Sequence, residues 1–449
     1  MNGELKNKLT IEEKPKNPSF NEAFWFWLKL GFISFGGPAG QIAIMHEFLV
    51  EKKKWISESR FLHALNFTMI LPGPEAQQLA TYTGWLMHGV KGGLFAGLFF
   101  ILPSMFILLG LSTLYVLYGN VPWVYALFDG LKPAVIAIVI LALFKIGKKS
   151  LKSLFHVVIA LAAFVAIFFF NVSFPLIILV SLIFAFMGRK LLPNLFSKSD
   201  VANQKIPENE KEYFINEFSP PADAGFTWMG VLNKTLVALV IATIPIALFY
   251  SFSSDFNFWK DLSWFFTKAA FVTFGGAYAV LPYVAQVSVE QFQWLSQAQM
   301  IDGLALGETT PGPLVMVLVF VGYMAGFNHF DSSVMMGAVG LVTTTIFTFI
   351  PCFLFIFIGA PLIEKTRSNE LIKQMLHVVT AAVVGVILNL TVYLGKVVVF
   401  PKEIVMTEID YFALSWIIVS FIALFKFKIN MILWIGISGL VGLTKYLLS

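Results

Sequence analysis

Charge is scarce in this chain. Of its 449 residues only 13% are Asp, Glu, Lys or Arg, about half the share of a soluble domain. With 58% hydrophobic residues and a mean hydropathy of +0.79, it cannot hide its apolar side chains inside a water-soluble ball. The single cysteine, Cys352, excludes an intrachain disulfide and paired-thiol chemistry. Six histidines are scattered without the HExxH or similar spacing that holds a metal. No GxxxxGK[ST] nucleotide loop is present either, so no cofactor is expected. A net charge of +5, carried in loops, reports topology and not nucleic-acid affinity. The polar N-terminus (MNGELKNKLTIEEKPKNPS) does not read as a cleavable signal peptide.

Long apolar runs take the place of those missing features: 93–118, 153–170, 230–250, 332–358 and 429–447. Crossing about 30 Å of hydrocarbon takes roughly 20 residues. The fold class expected is therefore an all-α polytopic membrane protein with 9 to 13 membrane segments.

Two stretches repeat each other, WFWLKLGFISFGG at 25–37 and WFFTKAAFVTFGG at 264–276. The offset of 239 also carries Trp55 onto Trp294, Ser57 onto Ser296 and Pro72-Gly73-Pro74 onto Pro311-Gly312-Pro313. Further on it drifts to 248, carrying Pro103 onto Pro351. The chain divides into a cytoplasmic tail (1–19), a first repeat (20–190), a cytoplasmic linker (191–227), an extra transmembrane helix (228–252) and a second repeat (260–449). In each repeat one segment is split by Gly-Gly (22–50; 263–289) and the next by Pro-Gly-Pro (58–88; 297–326). Four plainer segments follow. Ser19 with Glu22 and Ser296 with Gln299 fit capping boxes.

Positive residues orient the path. Lys6, Lys8, Lys14 and Lys16 place the N-terminus in the cytoplasm, as do the basic loop 145–152, the linker, and the loop with Lys365, Arg367 and Lys373. Whether the broken segments span or re-enter turns on one loop: Lys52, Lys53, Lys54 and Arg60 favour the cytoplasm, and so a re-entrant first hairpin over a spanning one. With the unpaired helix 228–252 the number of crossings is odd, so the two repeats are inverted about an axis in the membrane plane.

Glycine and proline at lipid depth free backbone groups that hydrocarbon cannot satisfy. A helix restarting after each break aims its N-terminal N–H groups and positive dipole end toward the middle. Four such ends converging make an anion site built from backbone. The candidate substrate residues are Gly36, Gly37, Gly40, Gln41, Gly73, Glu75, Gln77, Gln78, Gly275, Gly276, Thr309, Thr310 and Gly312. Lys29 and Lys268 are equivalent, either snorkelling to the interface or acting as cationic partners of the anion. Ionisable groups at membrane depth mark ion or proton paths by default, so Glu75 and Glu308 are the proton-coupling candidates. Asn66 is a weaker binding candidate, and of His46, His63 and His88 at most one is expected to have a role. Trp25, Trp27, Trp55, Trp264 and Trp294 suit an interfacial aromatic belt.

These motifs resemble the chromate ion transporter family in its long, two-domain form. The resemblance rests on FISFGGPAGQIA (32–43), KKKWISESRFLHALNFTMILPGPEAQQLATYTGW (52–85), FVTFGGAYAVLP (271–282) and DGLALGETTPGPLVMVLVFVGY (302–323). It implies secondary export of chromate across the cell membrane and chromate resistance, driven by an ion gradient. The second copy departs at Ala277-Tyr278, and its acidic residue is shifted, which puts identical roles for the two copies in doubt. A sulfate or other oxyanion permease is the alternative. An enzyme lacks paired catalytic residues at membrane depth, and a scaffold needs no duplicated breaks. The partners expected are chromate or sulfate, the bilayer and, as a candidate, a second copy of the chain; nucleic acid is not among them.

Overall fold

A computed structural model describes residues 18–35, 37–69, 71–191, 210–216, 219, 227–274, 276–363, 370–401 and 408–448. Gly36, Gly275, the lysines of the tail, most of the linker, and Lys365 with Arg367 lie outside the described residues. Among the described residues the chain is built of α-helices, with no strand.

The first repeat opens with α1 (Phe20–Ile33), α2 (Gly37–His46) and α3 (Glu58–Thr68). These have 14, 10 and 11 residues. At 1.5 Å per residue they reach about 15–21 Å, too short to cross the bilayer. Instead α1 and α2 fold back on each other. Glu22, near the start of α1, pairs with Lys53 beyond the end of α2 at 2.8 Å, and Phe26 meets Phe48 and Trp55. The chain therefore leaves on the face it entered, a re-entrant hairpin whose tip includes Ser34 and Phe35. Lys54 (φ 50°) closes the loop to α3.

The second hairpin runs down α3, through the Pro-Gly-Pro break, and back along the first arm of α4 (Glu75–Tyr118). The chain reverses at His88 and Gly89, where φ/ψ leave the helical region, and Gly84 lies against Gly92 and Ala96. The His88 ring is hydrogen bonded to the Pro18 carbonyl at 2.9 Å, so this hairpin also ends level with its start. The second arm of α4 then spans, followed by α5 (Pro122–Ser150), α6 (Leu154–Phe170) and α7 (Phe174–Leu191).

After α8 (Trp228–Phe252) the plan recurs: α9 (Phe256–Val272) and α10 (Ala277–Gln286) form one hairpin, and α11 (Gln297–Thr309) and α12 (Val317–His329) the other. The spanning helices are α13 (Val334–Ile363), α14 (Glu370–Val399), α15 (Tyr411–Phe425) and α16 (Met431–Leu448). Detail survives the duplication. Both α2 and α10 run into a π-helical turn, Glu47–Lys52 and Val287–Gln291, and Gln293 (φ 52°) repeats Lys54.

The inversion is visible where the repeats meet. The second arm of α4 and α13 pack antiparallel, with Gly93 against Phe357 and Gly97 against Phe353. The first repeat's hairpins open beside residue 90, at one end of α4's second arm, so those of the second repeat open at the opposite membrane face. That second face carries the Asp255–His329 pair at 2.9 Å. The spanning helices are exchanged between repeats: α5 packs on α15 and α16, and α14 on α6 and α7. Gly130 and Gly442 approach closely, as small residues allow where lipid supplies no hydrophobic drive. α8 stays peripheral, with no buried residue.

Two expectations need correction. Trp27, Trp55 and Trp294 are buried inside the hairpins, and only Trp25 and Trp264 are exposed as a lipid-facing belt would need. Burial against the returning arm, and not the headgroup layer, holds the other three. The capping box closes fully at Ser296, whereas at Ser19 the Glu22 side chain turns to Lys53 instead.

Candidate functional site

The hairpin tips are where the irregular backbone gathers. Positive φ occurs at Gly37 (67°), Gly73 (129°), Gly276 (89°) and Gly312 (94°), a region that residues with a Cβ avoid. All four lie at matching positions of the two copies. Past them start α2, α4, α10 and a 3₁₀ turn (Leu314–Met316) leading into α12. Pro74 is the N-cap residue of α4 and Pro313 that of the 3₁₀ turn, each just outside its first turn.

The tips lock across the two-fold axis. The Gly73 N–H donates to the Thr273 carbonyl at 2.7 Å, and the Gly312 N–H donates to the Ser34 carbonyl at 2.8 Å. These are one bond written twice, since the same offset of 239 relates both partners. Gly73 also lies against Cys352, and Gly312 against Ser104, a second reciprocal pair at the offset of 248. Each Pro-Gly-Pro therefore plugs onto a tip and a spanning helix of the opposite repeat.

The candidate side chains divide. Gln41 donates to the carbonyls of Gly312 and Ser34, Gln78 to Pro72 O at 2.6 Å and Gln77 to Thr81 at 3.0 Å. All three are buried, and their Oε1 atoms have no partner. Thr309 and Thr310 donate to carbonyls one turn earlier. The Gly73 and Gly312 amides and the side-chain donors are thus engaged in this arrangement, where the motif alone presented them as free. Gly40 stands against the Phe35 carbonyl in the first hairpin.

Two carboxylates reach the tips. Glu75 opens α4, in the turn where a helix favours negative charge, and its Oε1 is 3.6 Å from where a Cβ on Gly276 would stand. Glu308, buried, accepts a 2.6 Å hydrogen bond from Tyr278. Lys29 and Lys268 are exposed and lie over Phe48 and Trp264 at 5.9 and 5.8 Å, so the structure does not bring them to the tips. His46 joins Glu51 and Glu58 at the mouth of the first hairpin, far along α2 from its tip.

Ser34, Thr273, Ser104, Cys352 and Tyr278 were not legible as tip residues from composition or motif. The two offsets would have paired the first four; the Tyr278–Glu308 contact, asymmetric between copies, carries no such signal.

Chemically, the site is four helix N-termini, two carboxylates and a set of cross-repeat hydrogen bonds, with no group of three or more possible metal ligands among the described residues. An anion entering it would take up the N–H groups that the opposite repeat's carbonyls now hold. A family model described as chromate transporter matches residues 21–188 and 260–443, one block per repeat. A chromate transport protein of Pseudomonas aeruginosa is 29% identical over 440 residues, 96% of this chain and 94% of its own. One of Cupriavidus metallidurans is 28% identical over 426 residues, covering 94% and 92%. An uncharacterized transporter of Bacillus subtilis is 24% identical over 186 residues, only 41% of this chain but 94% of its own length, close to one repeat. No solved structure matches.

Proposed function

The chain belongs to the chromate transporter family, and from that premise we propose that it exports chromate from the cytoplasm by secondary transport coupled to the proton gradient, and so confers chromate resistance. The observation that supports this most is the interlock of Gly73 with Thr273 and Gly312 with Ser34. A tetrahedral dianion has oxygens to replace both carbonyls as acceptors, so its arrival unlocks the two repeats from each other. In an inverted repeat, that exchange is the natural trigger for alternating access.

Glu75 and Glu308 carry the coupling in this reading. Glu75 competes with the dianion for the positive end of α4. It takes a proton as the anion enters, so that protonation and anion occupancy are linked. Gly37, Gly73, Gly276 and Gly312 supply backbone contacts, and the orphan acceptors of Gln41, Gln77 and Gln78 receive the protonated carboxyl or water. The protein resides in the cell membrane, with the first repeat's hairpins opening to the cytoplasm beside Lys52, Lys53 and Lys54. Those lysines and the N-terminal ones follow the positive-inside rule.

The test is uptake of labelled chromate into inverted vesicles under an imposed pH gradient, with sulfate in parallel. Accumulation that collapses with the gradient is expected, and Glu75→Gln should abolish its pH dependence. Gradient-independent accumulation would remove proton coupling, and uptake of neither ion would remove the substrate class.

A further inference from the structure

Away from the tips, α6, α10 and α14 enclose a cavity of about 160 Å³ at the membrane face where the second repeat opens. That is room for several waters at about 30 Å³ each. Its walls carry Asn171, Gln286, Glu290, Asn389, Tyr393 and Lys396. Asn389 stands ten residues inside the end of α14, about 15 Å along the helix and so deep in the bilayer. Among the described residues the side chains of Asn171, Gln286 and Asn389 make no hydrogen bond to protein. Amides at lipid depth without protein partners need a polar guest.

One face of α10 runs from the site to the cavity. Tyr278, Pro282, Gln286 and Glu290 recur every four residues along α10 and its π-helical turn, a spacing that keeps them on one face. That face begins at the Tyr278–Glu308 hydrogen bond and ends in the cavity. Asn389, Tyr393 and Lys396 line the facing side of α14. Tyr393 accepts from Gln297 at 2.8 Å, and Glu290 lines the opposite wall, on the α10 side. Lys396, on the other, lies over Phe168. The offset of 248 carries Tyr393 and Lys396 onto Lys145 and Lys148 of α5, and on that side Lys149 reaches Met69 at the end of α3. Both membrane faces thus present lysine beside the path to the tips.

We propose that this cavity is the outer vestibule of the permeation path and a second binding site for the transported oxyanion. The dianion leaving the tips passes along α10 into the cavity, where Asn171, Gln286 and Asn389 donate to it and Lys396 holds it before release. The proposal rests on the transport reading above and adds a site to it.

Two measurements test it. Chromate exchange into right-side-out vesicles, which presents the anion to this outer face, should show KM raised about fivefold in Lys396→Gln, the scale of one exposed ion pair, with kcat little changed and KM restored in Lys396→Arg. Asn389→Cys should react with a membrane-impermeant thiol reagent added from the face bearing Asp255, and molybdate, a tetrahedral dianion that does not oxidise thiols, should slow the reaction. Wild type, whose one thiol is the buried Cys352, is the unreactive control. If wild type carries chromate while KM of Lys396→Gln is unchanged, or Asn389→Cys does not react, the vestibule is wrong and the transport reading stands. If wild type carries no oxyanion, the transport reading fails, and the vestibule falls with it.

Discussion

Gly312→Ala should be strongly damaging and Gly37→Ala mild, although both glycines sit at hairpin tips. At Gly312 φ is +94°, and a new Cβ would stand 2.8 Å from Ser104 Cβ and 3.2 Å from the Phe100 carbonyl. Backbone strain costs about 1–3 kcal/mol and overpacking about 1–3 kcal/mol more. Any backbone shift that relieves the clash also loosens the Gly312 N–H···Ser34 bond, worth about 0.5–1.5 kcal/mol. At Gly37 φ is +67° and nothing lies within 4 Å of the added atom, which leaves only a left-handed penalty of about 1–2 kcal/mol. Thermal unfolding in detergent, read with chromate uptake on the same preparation, separates the two. Ser104→Gly in the Gly312→Ala background should recover the packing part of the loss and leave the strain. Equal stability and uptake for the two single variants would refute the cross-repeat plug, because the plug is what makes the two tips differ.

Tyr278→Phe removes a 2.6 Å hydrogen bond from the buried Glu308; at about 1.5–3 kcal/mol for a bond to a charged group, uptake should fall about 10- to 160-fold, and an unchanged rate would mean Glu308 is a bystander. Lys29→Ala and Lys268→Ala, removing exposed ammonium groups that lie over rings, should each leave chromate KM within about twofold of wild type; a large rise would return them to the anion path. Asp255 caps α9, and its carboxyl is held below the usual carboxylate range by the Phe258 N–H and then by His329. Its folded value being the lower one, the capping contribution is present above the ordinary value of 3.8 and is lost as pH falls through the depressed one. Asp255→Asn should therefore flatten the acid limb of the thermal-stability profile, and an unaltered limb would show that the cap contributes nothing there.

The membrane class and the duplication were legible in the chain itself, whereas the sequence only favoured a re-entrant first hairpin over a spanning one. Low charge and long apolar runs leave no alternative to lipid, and a constant offset between glycine- and proline-bearing motifs requires two copies of one backbone. Lys52, Lys53 and Lys54 already indicated which face the first hairpin returns to, and Glu22–Lys53 closes it there. These are local or compositional properties, and a single strand of text carries them.

Partnership across the axis was decided by tertiary structure alone. Ser34, Thr273, Ser104 and Cys352 are ordinary polar residues, and they become tip residues only because inversion sets each Pro-Gly-Pro against the opposite repeat. Lys29 and Lys268 show the converse: an equivalent pair two turns from the Gly-Gly breaks, yet helix rotation points both outward. Offset and periodicity specify which residues correspond, but the azimuth of a helix, and the groups it meets a few ångströms away, follow from packing among all the others.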